Sequence, residues 1–256
     1  MRLFSSLFHR HSGFKGVIVF SCLVLASVVA LAISNEPWKD KDYKSWSNDD
    51  VQKILYESPW VKMVEVSAPW MKGRTQYLTP MPVDCDGRPD MTRGDRTPAS
   101  WAIGNTDSIV IYQVAWQSSR TVRSAKLREA TLCGRANAER GEEMLDEQPD
   151  NYVITVHSPD MTPFKGMDED ALIKATTLWP KKSAKKFAPE SVVIGRYNNG
   201  GMPYMLTFKF PRKAENGEPI IANDEKEVEF ANQIGKFSLK TKFQMQKMTV
   251  KDRPDL

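Results

Sequence analysis

The sequence predicts an α+β fold that is mainly an antiparallel β-sheet or sandwich with a few short helices, preceded by an N-terminal hydrophobic helix. Three observations predict it. Apolar and polar residues alternate with the period of a strand near the C-terminal end. Glycine-containing turns at residues 198–201 and at Gly235 divide those runs into hairpins. Only three or four short helical patterns accompany the hairpins, which favours a sheet-dominated domain.

The N-terminal segment predicts export. Residues Gly16–Ile33 carry no charge and follow three basic residues, and Ala30-Leu31-Ala32 fits the small-x-small pattern of a cleavage site. Residues 1–32 are therefore a signal peptide or, if uncleaved, an N-terminal membrane anchor. Both alternatives leave the rest of the chain extracytoplasmic, because the basic residues stay inside.

The remaining chain divides into a tether and one domain. Residues 33–45 are charged and contain Pro37, which predicts a tether, and residues 46–256 predict a single β-rich globular domain. Without residues 1–32 the chain keeps 33 basic and 32 acidic residues. A nucleic-acid partner is therefore not expected, because this balance provides no basic footprint.

The clearest local signal opens the domain. Ser47 is a good N-cap, and Asp50 three residues later completes a capping box. Trp46 precedes the cap and is expected to pack on Val51 as a hydrophobic staple. Ser58-Pro59 ends the helix. The following residues, 60–66, are rich in β-formers and predict a strand.

Four segments resemble exported bacterial proteins known as GWxTD-domain proteins. The segments are Trp46–Val51, Phe208–Arg212, Lys226–Phe230 and Lys242–Met248. Trp46 and Asp49 correspond to the tryptophan and aspartate of the motif. The resemblance implies export and a β-rich body, and it carries over no catalytic residue.

The middle of the chain predicts a loop, a strand and a second helix. Residues 67–106 hold five prolines and four glycines, which predicts a long loop or short edge strands. Residues 108–117 are mostly apolar and predict a strand buried on both sides. Ser119 then caps a helix that ends at Gly134.

Two cysteines remain after residue 32. Cys85 and Cys133 could form a disulfide in an oxidising compartment, or they could stay two separate buried thiols. The sequence leaves both alternatives open, because a bridge depends on a Cα separation that it does not contain.

Arg120, Arg123 and Arg128 lie on the side of the second helix opposite its apolar stripe. One hypothesis makes them a contact for an anionic envelope polymer or phospholipid. The other is a solvated helix face, which is the commoner explanation of such a row.

The second half of the chain predicts a short helix and several strands. The helix covers residues 168–176, and the strands cover residues 151–156, 191–197, 204–210, 227–234 and 236–248. The last strand alternates apolar residues with lysine, serine and glutamine, so we expect one buried and one hydrated face.

Signatures of catalysis and of metal or cofactor binding are absent from the sequence. His157 is the sole histidine after residue 32, and no nucleophile elbow, metal-ligand pair or nucleotide loop occurs. No catalytic, cofactor-binding or metal-ligating residue is therefore predicted. The acidic residues 136–150 are typical of a solvated helix.

These absences favour an exported envelope or secreted protein that acts as a non-enzymatic binding or structural module. Its expected partner is an unknown envelope component or protein, and membrane contact is expected only through residues 16–33 if they stay uncleaved. The alternative is a carboxylate-based hydrolase acting on envelope glycans. A cleft with two facing carboxyl groups of raised pKa would favour the hydrolase.

Overall fold

Two antiparallel sheets pack face to face in the computed structural model, which describes residues 36–71, 77–86, 88, 108–197 and 201–256. The main sheet has the strand order β1-β3-β4-β7-β6, with the short β2 parallel to the start of β3. The small sheet has the order β5-β8-β9, and β10 pairs with β11 in a separate hairpin. The predicted α+β class with antiparallel sheets is confirmed.

The strands are β1 (Val61–Ser67), β2 (Tyr77–Leu78), β3 (Ile109–Trp116), β4 (Asn151–His157), β5 (Thr176–Pro180), β6 (Ser191–Arg196), β7 (Pro203–Pro211), β8 (Glu227–Ile234), β9 (Phe237–Gln244), β10 (Thr249–Val250) and β11 (Arg253–Pro254). The α-helices are α1 (Pro37–Asp40), α2 (Asn48–Glu57), α3 (Arg120–Leu132), α4 (Ala138–Asp146) and α5 (Glu169–Ala175). Short 3-10 helices cover Tyr43–Ser45, Thr162–Phe164 and Met245–Lys247.

The core lies between the two sheets and is largely aromatic. Because side chains alternate along a strand, Phe208 and Phe210 of β7 both point inward, and both meet Phe230 of β8. The ring centroids are 5.5 Å apart for Phe208 and Phe230 and 6.4 Å apart for Phe210 and Phe230. Trp116 of β3 meets Phe243 of β9 at 5.2 Å. Edge-to-face pairs of this kind stabilise beyond their buried area.

Helices cover the other side of the main sheet and one of its edges. Helix α2 packs on β1 and on α3, and the side chain of Gln113 on β3 donates to the Leu55 carbonyl of α2 at 2.9 Å. Helix α5 contacts β5, β6 and β8. The Glu169 carboxylate of α5 accepts from the Val192 amide at 3.0 Å, which occupies a backbone donor on the edge strand β6.

The predicted capping box is present at the start of α2. The Ser47 hydroxyl accepts from the Asp50 amide at 3.2 Å, and the Asp50 carboxylate accepts from the Ser47 amide at 3.0 Å. Lys41 adds an ion pair to Asp50 at 2.8 Å. Trp46 is buried before the cap, and its indole donates to the Pro37 carbonyl at 3.1 Å.

Residues 37–45 differ from the predicted tether. The chain is already folded at Pro37, and the compact unit extends from Pro37 to Leu256. Trp38 is buried against Trp60, with ring centroids 5.7 Å apart. The physical reason is this apolar anchor, since a charged segment with a single buried tryptophan can still pack on the body.

The predicted signal peptide or anchor, residues 1–32, lies outside the described residues, as does most of the long loop at 67–106. Among the helices that are described, none is both long and apolar enough to cross a bilayer.

Phe230→Ala should lower the free energy of unfolding by about 3–5 kcal/mol, because it removes a ring that contacts two others across the sheets. Urea unfolding followed by tryptophan fluorescence measures it. Val193→Ala is the matched control, because Val193 is 54% exposed on β6 and its loss should change stability by no more than about 0.5 kcal/mol. Equal effects of the two changes would contradict the packing described here.

Asp50→Asn should lower the free energy of unfolding at neutral pH by about 1 kcal/mol. Burial alone raises the pKa of Asp50, but hydrogen bonds from Lys41 and Ser47 outweigh burial and hold that pKa below its usual value. A lowered folded-state pKa adds stability above the unfolded pKa of about 4, and this contribution is lost as pH falls through the folded pKa.

The difference between wild type and Asp50→Asn should therefore shrink in acid. Urea titrations at neutral pH and at pH values below about 4 measure it. A difference that stays constant over this range would show that the Asp50 charge does not stabilise the cap.

Candidate functional site

The three arginines of the anion hypothesis each have protein acceptors. Arg123 donates to the Met144 and Glu147 carbonyls, both at 2.9 Å, where α4 ends. Arg128 donates to the Trp46 carbonyl at 2.9 Å. Arg120 forms an exposed ion pair with Asp146 at 2.9 Å. These contacts join α3 to its neighbours, and the anionic contact at these arginines stays a prediction.

An anion from the chain itself occupies the start of α3. The Asp255 carboxylate accepts from the Ser119 hydroxyl at 2.9 Å, the Arg120 amide at 2.6 Å and the Thr121 amide at 2.9 Å. The Trp60 indole donates to the Asp255 carbonyl at 2.7 Å. A carboxylate suits the positive end of a helix. The sequence pattern could not predict this contact, because Asp255 lies far from Ser119 in the chain.

Cys85 and Cys133 form a disulfide, with a Cα–Cα distance of 5.1 Å. Cys133 is the C-cap residue of α3, and Cys85 is exposed in the loop after β2. Of the two alternatives that the sequence left open, the structure has the bridge. Disulfides form and persist mainly outside the reducing cytoplasm, so the bridge favours an extracytoplasmic protein.

The histidine and the acidic residues do not assemble a metal centre in the described parts of the chain, where no group of three or more potential ligands occurs. The Nδ1 atom of His157 lies 2.7 Å from the Tyr204 carbonyl, across the β4–β7 pair. This contact fixes the ring to the main sheet and gives it a structural role.

A concave surface in the described part of the chain lies between two loops. This groove of about 980 Å³ opens between residues 182–190 and residues 211–225. A depression of about 480 Å³ adjoins it, because the two share Glu190, Pro211 and Lys213. The volume matches the upper range of ligand sites in proteins.

The groove combines apolar side chains with charges of both signs. Phe187, Pro211, Pro219 and Ile220 provide the apolar part of its lining. The charged part of its lining comprises Lys182, Lys185, Lys186, Lys213, Glu190, Glu215, Glu218 and Glu225. The groove therefore offers a ligand both apolar contacts and charges of either sign.

One wall of the groove is a segment that we call the lysine loop, residues 181–186, with four lysines in six positions. Its backbone is held in place: the Lys181 amide donates to the Glu227 carbonyl at 3.0 Å, and the Lys182 amide donates to the Glu225 carboxylate at 3.0 Å. The Ser183 hydroxyl accepts from the Lys185 amide at 3.1 Å. The lysine run is the sequence signal for this wall, although a run of lysines by itself does not predict a site.

The carboxyl groups of the groove and its surroundings act mainly as acceptors for the protein. Glu225 is buried and accepts from the amides of Lys182, Lys226 and Glu227. Glu190 accepts from the Asn151 side chain at 2.7 Å.

The described carboxyl groups with a shifted pKa are all shifted downward. Burial alone raises the pKa of Glu229, but Lys181 and Lys240 outweigh it and lower the pKa overall. Hydrogen bonds from lysine lower the pKa of Asp224 and of Glu142 as well. With Asp50, these four groups are ion-pair partners, whereas a glycosidase acid needs a raised pKa.

No family model matches the chain, and no curated protein matches it. Among solved structures, it has a slight likeness to the N-terminal part of the bacterial S-layer protein SbsC, at 9% identity and a TM-score of 0.22. The match covers 49% of this chain and 33% of that chain. Similarity at this level does not assign a fold or a function, and the resemblance to GWxTD-domain proteins stays a prediction.

Removing the disulfide through Cys85→Ser with Cys133→Ser should lower the free energy of unfolding by up to about 4 kcal/mol, because the bridge closes a separation of 48 residues in the unfolded chain. Urea unfolding with and without reductant measures it. Wild type should lose stability on reduction and the double variant should not. If reductant left the free energy of unfolding of the wild type unchanged, the bridge would not be stabilising.

Proposed function

We propose that the chain is an exported, non-enzymatic binding module that holds a segment of a partner protein of the envelope in its groove. The groove itself is the single observation that carries this proposal. It is concave, it combines apolar and charged lining, and its walls are loops that hydrogen bonds hold in place. Preorganised walls lower the entropic cost of binding.

Two features support the proposed extracytoplasmic location of the module. The disulfide Cys85–Cys133 suits an oxidising compartment. Residues 1–32 have the pattern of a signal peptide or anchor. Membership among the GWxTD-domain proteins is part of the same proposal, since those proteins are also exported.

The mixture of charges favours a protein segment over a uniformly charged polymer. Glu190, Glu215 and Glu218 would repel a polyanion, and Lys185 and Lys213 would repel a polycation. A peptide that places an apolar side chain against Phe187 and pairs charges of both signs at the rim meets neither difficulty.

A carboxylate-based hydrolase of envelope glycans is the second candidate, because several glutamates line the same groove. It would need one of them as a proton donor of raised pKa. Release of reducing ends from purified envelope glycan by the full chain, abolished in Glu190→Gln, would favour this candidate over the binding module.

A photo-crosslinking amino acid at Ala184, which is exposed and lines the groove, should give a discrete adduct in intact cells. The same amino acid at Lys165, exposed beside a 3-10 helix and absent from the groove lining, is the control and should give none. Gel mobility and mass spectrometry of the full chain measure both.

Lys185→Glu with Lys213→Glu should remove the adduct at Ala184, because it reverses the positive charges of the rim. Absence of an adduct at Ala184, or equal labelling at Lys165, would contradict the proposed binding groove.

A further inference from the structure

The outer face of the small sheet carries a cluster of lysines around a tryptophan. In β5 the inward residues are Thr176, Leu178 and Pro180, so Trp179 points outward by alternation. Trp179 pairs with Glu229 of β8, and Glu229 pairs with Lys242 of β9, which places all three in one row across the sheet. We call Lys181, Lys186, Lys240 and Lys242 around Trp179 the lysine face.

Two of these lysines lie over the indole ring. The Nζ atom of Lys181 is 3.3 Å from the ring centroid of Trp179, and that of Lys186 is 4.9 Å from it. The indole nitrogen itself donates to the Ser183 carbonyl at 2.9 Å, which fixes the ring. Cation–π contacts of this kind hold the ammonium groups above a flat, amphipathic surface.

The carboxylates of this face neutralise only part of its charge. Glu229 is 8% exposed and lies between Lys181 at 2.8 Å and Lys240 at 3.6 Å. Glu227 pairs with Lys242 at 3.0 Å. Four lysines therefore face two glutamates. The surrounding segment also has a positive net charge, since residues 176–247 contain 13 lysines and arginines against 7 aspartates and glutamates.

The composition of the lysine face selects the kind of anion that it suits. All four cations are lysines, which act as flexible point charges, whereas tight recognition of one phosphate usually uses the bidentate fork of arginine. The lysines spread over a sheet surface and do not converge on one point. Such a surface is typical of diffuse attraction to an extended anionic plane, and a partly exposed tryptophan suits the interface of a bilayer.

We propose that the lysine face docks on the surface of an anionic phospholipid bilayer. The occupant is the layer of phosphate-bearing headgroups, with the sheet lying along it. This contact uses a different surface from the groove, although Lys186 belongs to both, and it adds a membrane contact beyond residues 16–33. The proposed bilayer contact rests on the extracytoplasmic location given under the proposed function, but it does not depend on a partner in the groove.

Lysine acetylation of the full chain, read residue by residue by mass spectrometry, tests the proposal. The chain is mixed with vesicles of phosphatidylcholine alone or of equal parts phosphatidylcholine and phosphatidylglycerol. Acetylation of Lys186, Lys240 and Lys242 should be lost with the anionic vesicles only, and high salt should restore it. Because each lysine is read separately, insertion of residues 16–33 into either vesicle does not obscure the result.

Lys240→Gln with Lys242→Gln should return acetylation of Lys186 to the value seen with phosphatidylcholine. Lys213→Gln, which changes the groove and leaves the lysine face intact, is the matched control and should keep the protection. Thermal unfolding of each variant confirms that it is folded.

Equal acetylation of the lysine face with both vesicles would overturn the proposal. It would also fail if soluble inorganic polyphosphate protected these lysines and the anionic vesicles did not, since the occupant would then be a polymer. Failure here leaves the crosslink at Ala184 unaffected, so the two proposals fail separately.

Discussion

The aromatic contact between the two sheets is the interaction on which the rest of the structure depends. The small sheet β5-β8-β9 has one apolar face, which must be buried against another layer of the structure. It is stabilised because Phe230 and Phe243 pack on Phe208, Phe210 and Trp116 of the main sheet. The outer lysine face and the loops of the groove are both attached to this small sheet, so their positions follow from the same packing.

Local patterns in the sequence predicted most of the elements. Ser47 and Asp50 cap α2 as expected, because a capping box needs only residues three apart. Ser119 caps α3, and Gly134 follows it with a positive φ of 66°, which glycine adopts most readily. The alternation of apolar and polar residues along β7 and β9 also predicted these strands, because one face of each strand is buried.

Contacts between distant parts of the chain could not be predicted from local sequence patterns. Asp255 reaches the start of α3, and Arg123 reaches the end of α4, although neither follows from any periodicity. Residues 37–45 look like a charged tether, yet Trp38 and Trp46 fix them to the body. The groove forms only when the loop after β5 and the loop after β7 come together. The lysine run is visible in the sequence, but its place in the wall of a groove could not be predicted.

These features together support the proposal of an exported module that has a groove between two loops and a lysine face on the small sheet. The measurement that tests this account most directly is intact-mass analysis of the full chain from fractionated cells, alkylated with and without prior reduction. The account predicts that the chain is in the membrane or extracytoplasmic fraction, and that Cys85 and Cys133 become alkylated only after reduction. A cytosolic chain with both thiols free would contradict it.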